Sequence, residues 1–193
     1  MAELFEKVSI NGMTLVNRFV RSATWEGLAD RDGSVTPKLT KMMVELVWNE
    51  VGLIISGYTF VSPEGQSSPG QLAIHDDRFV AGLWAMVEAV HKAGGKIALQ
   101  IVHAGRFADP ALTGLQPIGP SVVEKDGQTT CLAMSKLDIA NIVSAFTQAA
   151  VRAKQAGFDA IQLHAAHGFL FSQFLSPAFN QRTDEYEIGR AHV

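Results

Sequence analysis

Gly94-Gly95-Lys96-Ile97-Ala98-Leu99-Gln100-Ile101-Val102-His103 is the stretch on which the fold turns. A glycine pair supplies the backbone freedom that ends a helix, a short apolar run follows, and polar groups arrive where the run finishes. This pattern predicts a strand over residues 96–102 with Gln100 and His103 at its end. The same plan recurs further on: Gly157 ends a helical segment, residues 160–164 read as a strand, and His164 and His167 close it. Strands that begin after helix-ending glycines and finish on polar residues are expected of βαβ units around a parallel sheet.

Working outward, two more units precede these. Residues 18–23 predict the first strand, and its helix starts near Pro37, a residue suited to a first turn, and continues through Leu39, Met43, Leu46 and Val47. Residues 53–57 predict the second strand, with a helix from about Arg78 through Leu83, Val87 and Val90 to Ala93. Between strands three and four lies a long connection over 103–135, with Pro110, Pro117 and Pro120 among glycines and polar turn residues. It is expected to be a loop that forms or covers a site. Asp138 is expected to open the helix that follows, through Ile142, Phe146, Ala149 and Ala153.

A doubly wound sheet and a (β/α)8 TIM barrel share this local pattern. A dinucleotide-binding sheet calls for G-x-G-x-x-G after its first strand, and Ser22-Ala23-Thr24-Trp25-Glu26-Gly27 offers none. In a barrel, chemistry sits at the carboxyl ends of the strands, which is where Gln100, His103, His164 and His167 fall. The expected fold is therefore α/β, a TIM barrel truncated to about its first four βα units.

Composition narrows the function. With 47% hydrophobic and 18% charged residues in 193, the chain can bury a sizeable core as one domain. A net charge of -3, with 16 basic residues scattered along the chain, gives no electrostatic grip on nucleic acid, so a small-molecule partner is expected. Cys131 is the single cysteine, which excludes an internal disulfide and a cysteine cluster for a structural metal and fits a reducing compartment. Met1-Ala2-Glu3-Leu4-Phe5-Glu6-Lys7 lacks the basic start and apolar run of a secretory signal, and no later run is long enough for a membrane span. A cytoplasmic location is expected.

Several blocks together resemble a known family: Asn17-Arg18-Phe19-Val20-Arg21-Ser22, Gly52-Leu53-Ile54-Ile55, Pro63-Glu64-Gly65, Gln100-Ile101-Val102-His103-Ala104-Gly105-Arg106, and above all residues 164–186, from His164-Ala165-Ala166-His167-Gly168-Phe169-Leu170 to Asp184-Glu185-Tyr186. They look like the Old Yellow Enzyme family of NADH:flavin oxidoreductases, whose relatives include 2,4-dienoyl-CoA reductases. The resemblance covers residues 3–186 and implies an N-terminal half of that fold. It also implies bound FMN, NAD(P)H as electron donor, a small-molecule substrate such as an activated alkene, and a homo-oligomeric whole protein. Some relatives carry a further iron-sulfur and second flavin domain.

Carried over residue by residue, the resemblance places FMN against Ser22, Ala23 and Thr24 after strand one, Tyr58 after strand two, Gln100 on strand three and His164 on strand four. A side-chain amide both donates and accepts, as the polar edge of a flavin pyrimidine ring requires; otherwise Gln100 is a polar residue capping a strand end. His164 and His167 match the catalytic pair that binds a substrate carbonyl oxygen, where two N-H donors would stabilise the charge that develops as hydride arrives. Structural hydrogen bonding at a strand end is the alternative. Phe169 stands where reductases commonly carry a proton-donating tyrosine, and Trp25 where relatives often carry a small or sulfur-bearing residue. Arg106 is expected to organise loop backbone, Trp48 and Trp84 to anchor helix packing, and Cys131 to be a free thiol in the long loop.

After Tyr186 the resemblance stops. Glu187-Ile188-Gly189-Arg190-Ala191-His192-Val193 resembles the translation of a sequencing adapter, so residues 1–186 are expected to be the barrel half and 187–193 a non-native tail. A half-barrel alone would expose strand edges and apolar faces, bind FMN weakly and self-associate. Two readings of other classes stand beside the oxidoreductase: a half-barrel assembly module without catalysis, and a metal-dependent hydrolase using His164 and His167.

Overall fold

The computed structural model describes residues 3–189. Its first elements are a hairpin of β1 (Val8–Ile10) and β2 (Met13–Leu15), followed by β3 (Val20–Arg21), α1 (Pro37–Trp48), β4 (Leu53–Ile55) and β5 (Thr59–Phe60). Then come α2 (Val80–Lys92), β6 (Ile97–Val102), α3 (Pro110–Thr113), β7 (Ile118–Gly119), β8 (Val123–Lys125) and β9 (Gln128–Ala133). The long α4 (Lys136–Gln155), β10 (Ala160–Leu163) and the short α5 (Leu170–Phe174) complete the order.

All six residues of β6 are buried, as a strand covered on both faces requires. It pairs in parallel with β4 and β5 on one side and β10 on the other, giving the order β10-β6-β4-β3 with β5 attached to β6. The register sets Ala160 against Ala98, Ile161 against Leu99 and Gln162 against Gln100. Helices α1, α2 and α4 cover the outer face with Met43, Leu83, Met86, Val90, Ile142 and Ala149, all in one apolar cluster with Ile54, Ile97, Leu99 and Ile101. The fold class is that of a TIM-barrel segment, four parallel strands with crossover helices.

Local chemistry explains most boundaries. Thr36 caps α1 by accepting from the Leu39 N-H, and Pro37 takes the first turn. Helix α4 is opened by Ser135, whose hydroxyl accepts from the Asp138 N-H while Asp138 reaches back to the Ser135 N-H. Asp138 is thus the third helical residue rather than the opening one, because the reciprocal capping box needs serine first and a carboxylate three later.

Other expectations are also corrected. The first strand shortens to Val20–Arg21, because residues beyond it turn away into a loop tied down by the Arg21 and Glu26 side chains. The connection over 103–135 is not structureless: it carries α3 and a three-stranded sheet, order β7-β9-β8. Asp126-Gly127, both at positive φ (53° and 74°), make the tight hairpin turn between β8 and β9. Asn11-Gly12, at 46° and 85°, do the same for the unforeseen β1-β2 hairpin. That hairpin places Leu15 against Leu53 and Ala98, sealing the amino-terminal end of the sheet. Cys131 is free but sits buried on β9, where burial pushes its thiol pKa up. Trp48 and Trp84 are 68% and 52% exposed and anchor no core, since the stripe of α2 that faces the sheet is Leu83, Met86, Val87 and Val90.

Residues 190–193, part of the expected tail, lie outside the described residues. Glu187, Ile188 and Gly189 run along an apolar groove of about 540 Å³ that α4 and α5 also line. No helix among the described residues is long and apolar enough to cross a membrane.

At the opposite end of the sheet from the histidine pair, Asp159 is tied to three donors: Lys96 Nζ at 2.7 Å, His91 Nε2 at 2.8 Å and the Ile97 N-H at 2.9 Å. Burial alone would raise its pKa, but the Lys96 and Ile97 hydrogen bonds and His91 outweigh that and hold it below the ordinary 3.8. A depressed carboxylate stabilises the fold fully above the unfolded-state pKa and loses that contribution as pH falls through the folded value. Asp159→Ala is expected to cost about 3 kcal/mol in urea unfolding at pH 7, because it strands a lysine and a backbone N-H, and to cost much less near pH 2. An equal loss at both pH values would show that the ion cluster is not the cause.

Candidate active site

Parallel strands in register end at a common level, and here those ends form a cleft of about 630 Å³. Strand β3 contributes Ala23, Thr24 and Trp25 from the loop after it, β4 contributes Tyr58, β6 contributes Gln100, and β10 contributes Gln162 and the segment from Leu163 to His167. Phe169 also lines the wall. Of the expected residues, Ala23, Thr24, Tyr58, Gln100, His164 and His167 are therefore brought together. Ser22 is exposed and does not line the cleft; its carbonyl oxygen accepts the Thr24 hydroxyl at 3.2 Å.

His164 is 6% exposed at the tip of β10, and its N-H continues the ladder by donating to Ile101 O at 3.1 Å. Its ring Nδ1 accepts the Ala166 N-H at 3.2 Å, which assigns the ring proton to Nε2. Burial and the neighbouring His167 both push its pKa down, so the ring stays neutral below the usual 6.5 and offers a single N-H donor. The His167 ring lies 5.3 Å from it, centroid to centroid, at 75°.

His167 holds φ at 55°, a left-handed conformation that non-glycine residues adopt at a cost. Gly168 follows at 72°, and the pair of unusual residues turns the chain sharply so that both histidine rings and Phe169 stand around one cleft. Phe169 packs its ring 4.9 Å from His164 and 5.6 Å from Tyr58.

The cleft floor is amide. Gln100 Nε2 donates to Gln162 Oε1 at 2.7 Å, leaving the Gln100 carbonyl oxygen to accept and the Gln162 amide to donate. Gln162 was not among the expected site residues, yet the signal was present: it stands two before His164 on one strand, and side chains two apart share a face. A second unforeseen feature is the Arg21–Glu26 pair, N to O 2.8 Å, with side chains 13% and 5% exposed. Arg21 also donates to Ile55 O and Thr24 O, and Glu26 accepts the Gly57 N-H, so the loop from β3 is fastened to the tip of β4. A Cβ at position 57 would collide with the Glu26 carboxylate, which is why glycine stands there.

His103 and Arg106 turn away from the cleft. His103 is 1% exposed, its Nδ1 accepts the Gly105 N-H at 3.0 Å, and burial lowers its pKa to about 4, so it is a neutral structural residue. The Arg106 guanidinium lies 3.8 Å above the Phe179 ring and 4.5 Å from Phe107, stacking on aromatic faces instead of holding loop carbonyls. Among the described residues no group of three or more His, Cys, Asp or Glu is placed to hold a metal ion.

A family model described as NADH:flavin oxidoreductase / NADH oxidase matches residues 3–192. An NADPH dehydrogenase from Halalkalibacterium halodurans is 41% identical over 95% of this chain and 54% of its own length. The structure superposes on an old yellow enzyme homologue from Zymomonas mobilis with TM-score 0.88 at 31% identity, covering 96% of this chain and 54% of that one. Morphinone reductase in complex with tetrahydroNAD gives TM-score 0.88 at 32% identity, over 96% and 55%. The chain thus spans about half the length of these relatives.

The strain at His167 is testable without any ligand. His167→Gly is expected to raise the thermal midpoint, by relief of about 1 kcal/mol, because glycine adopts a φ of 55° freely. A lowered midpoint would mean that the imidazole contributes more to folding than its backbone conformation costs.

Proposed function

The chain belongs to the NADH:flavin oxidoreductase / NADH oxidase family, and from that premise we propose that it forms part of an FMN-dependent NAD(P)H oxidoreductase acting on activated alkenes or related electron-poor small molecules. The observation that carries this reading is the donor arrangement over an amide floor. His164 keeps Nε2-H as its free donor because Ala166 occupies Nδ1, His167 stands beside it, and the Gln100–Gln162 pair lies in the same cleft.

These residues fit the flavin. A pyrimidine edge carries both acceptors and a donor, and the glutamine pair presents one acceptor and one donor to it. Ala23, Thr24 and Tyr58 would flank the ring system, with Ser22 contributing only through the backbone carbonyl that anchors Thr24. When bound, FMN accepts hydride from NAD(P)H and supplies it to the substrate. His164 and His167 would hold the substrate carbonyl oxygen and stabilise the negative charge it gains, which is where preorganised donors are most effective. Neutral His164 suits this role because both of its ring nitrogens are then assigned, one accepting from backbone and one donating to substrate.

The enzyme to test is the FMN-loaded protein that contains this segment. Titration with FMN should give a stoichiometric yellow complex bleached by NADH or NADPH. His164→Ala should lower kcat/KM for an α,β-unsaturated ketone by about 10²–10³-fold, the usual loss of one oxyanion donor, while bleaching by the nicotinamide persists. Activity should hold on the neutral side and fall on acidification as His164 gains a second proton and releases the Ala166 N-H. Metal content with no flavin binding would instead favour a hydrolase, and a defined oligomer without flavin an assembly module.

A further inference from the structure

Adding hydride to one carbon of an activated alkene leaves an enolate, and the saturated product forms only when the neighbouring carbon receives a proton. The histidine pair is committed to the oxygen in the reading above, on which this inference rests. Phe169 has no proton to give. Of the other groups on the cleft wall, the Gln100 and Gln162 amides and the Trp25 indole are not acids at neutral pH, and the Thr24 hydroxyl is a far weaker acid than a phenol. The chain has two tyrosines, and Tyr186 lines the apolar groove beside α4 and α5. Tyr58 is the one phenol on the cleft wall among the described residues.

We propose that Tyr58 is the proton donor. Its ring packs 5.6 Å from Phe169 and 6.2 Å from His164, centroid to centroid, so the phenol stands beside both the hydrocarbon ring and the donor that holds the substrate oxygen. Its hydroxyl donates to Ser68 Oγ at 2.8 Å, and Ser68 is half-buried, so an exchange of donor and acceptor roles between the two hydroxyls frees the phenol proton and links it to solvent. In the step, the Tyr58 O-H bond breaks and a C-H bond forms at the α-carbon. The enolate electron pair becomes that C-H bond, and the carbonyl is restored. The phenolate is then reprotonated from water through the Ser68 hydroxyl. Net, the alkene gains one hydride, delivered by the established family chemistry, and one proton from solvent.

The test is stopped-flow kinetics on the FMN-loaded enzyme, with Tyr58→Phe compared against the parent. Because Tyr58 also flanks the FMN site, both proteins are compared at saturating FMN, and the readout is the ratio of the enone to the quinone reoxidation rate, which a change in flavin binding or reduction does not by itself move. Relative to reoxidation by a quinone, which needs no carbon protonation, reoxidation by 2-cyclohexenone should slow by about a hundredfold or more, the ordinary contribution of a general acid. Tyr58→Phe combined with Phe169→Tyr should recover at least about tenfold of the enone rate, since the phenol returns to the adjacent ring position. An enone rate unchanged in Tyr58→Phe overturns the assignment, as does an equal slowing of the enone and quinone arms. A parent protein whose flavin is neither bleached by nicotinamide nor reoxidised by enone defeats the oxidoreductase reading itself, a result distinguishable from the others because it is seen before any substitution.

Discussion

The in-register parallel pairing of β6 with β10 is the constraint on which everything else depends. Ala98 faces Ala160 and Gln100 faces Gln162, and one rung further the His164 N-H donates to Ile101 O. Because parallel strands rise together, this register puts the amide floor and the histidine tip on adjacent strands at matched heights. A slip of one residue would reverse every side chain of β10 and take Gln162 away from Gln100. The buried run of β6 resists such a slip, since all six of its residues are covered and it is held by β4 and β5 on its other edge.

Above that floor the structure invests in fixing orientation. The His167 backbone sits in a costly conformation, the Ala166 N-H occupies one nitrogen of His164, and the Arg21–Glu26 pair binds the loop after β3 to the tip of β4. The last pair is nearly buried and satisfied at most of its polar atoms, the condition under which an ion pair in the interior holds one geometry and not several. Each of these devices lies at the carboxyl end of the sheet. The amino-terminal end is built differently, with the β1-β2 hairpin and the Asp159 cluster serving packing and stability.

The block that most strongly marks the family divides in the same way. His164 and His167 line the cleft, but Asn180, Arg182 and Asp184 do not. Asn180 donates to Phe174 O and Tyr186 O, and Arg182 donates to Pro120 O and Met134 O while pairing with Asp184, whose carboxyl it holds well below the usual range. These residues clamp the segment after α5 onto the small sheet inserted between β6 and α4. Conspicuous residues in a sequence block can thus mark a scaffold joint as readily as a site.

Local rules sufficed for the alternation of strands and helices, the glycine stops at 94 and 157, the proline start at 37, and the polar strand ends, because these follow from backbone preference and from which side chains water rejects. The hairpin turns at Asn11-Gly12 and Asp126-Gly127 were legible by the same rules, though only the structure drew attention to them. The sequence also carried the residue types that line the cleft: Tyr58, Gln100, His164 and His167. Which of the neighbouring polar groups face one another was decided only by tertiary structure. Gln100 meets Gln162, Tyr58 reaches Ser68, Arg21 grips Glu26, and His103, as prominent in the chain as His164, turns into the core. The reason is physical: orientation at a strand tip depends on register and on partners distant in sequence, and neither is written into the residues beside it.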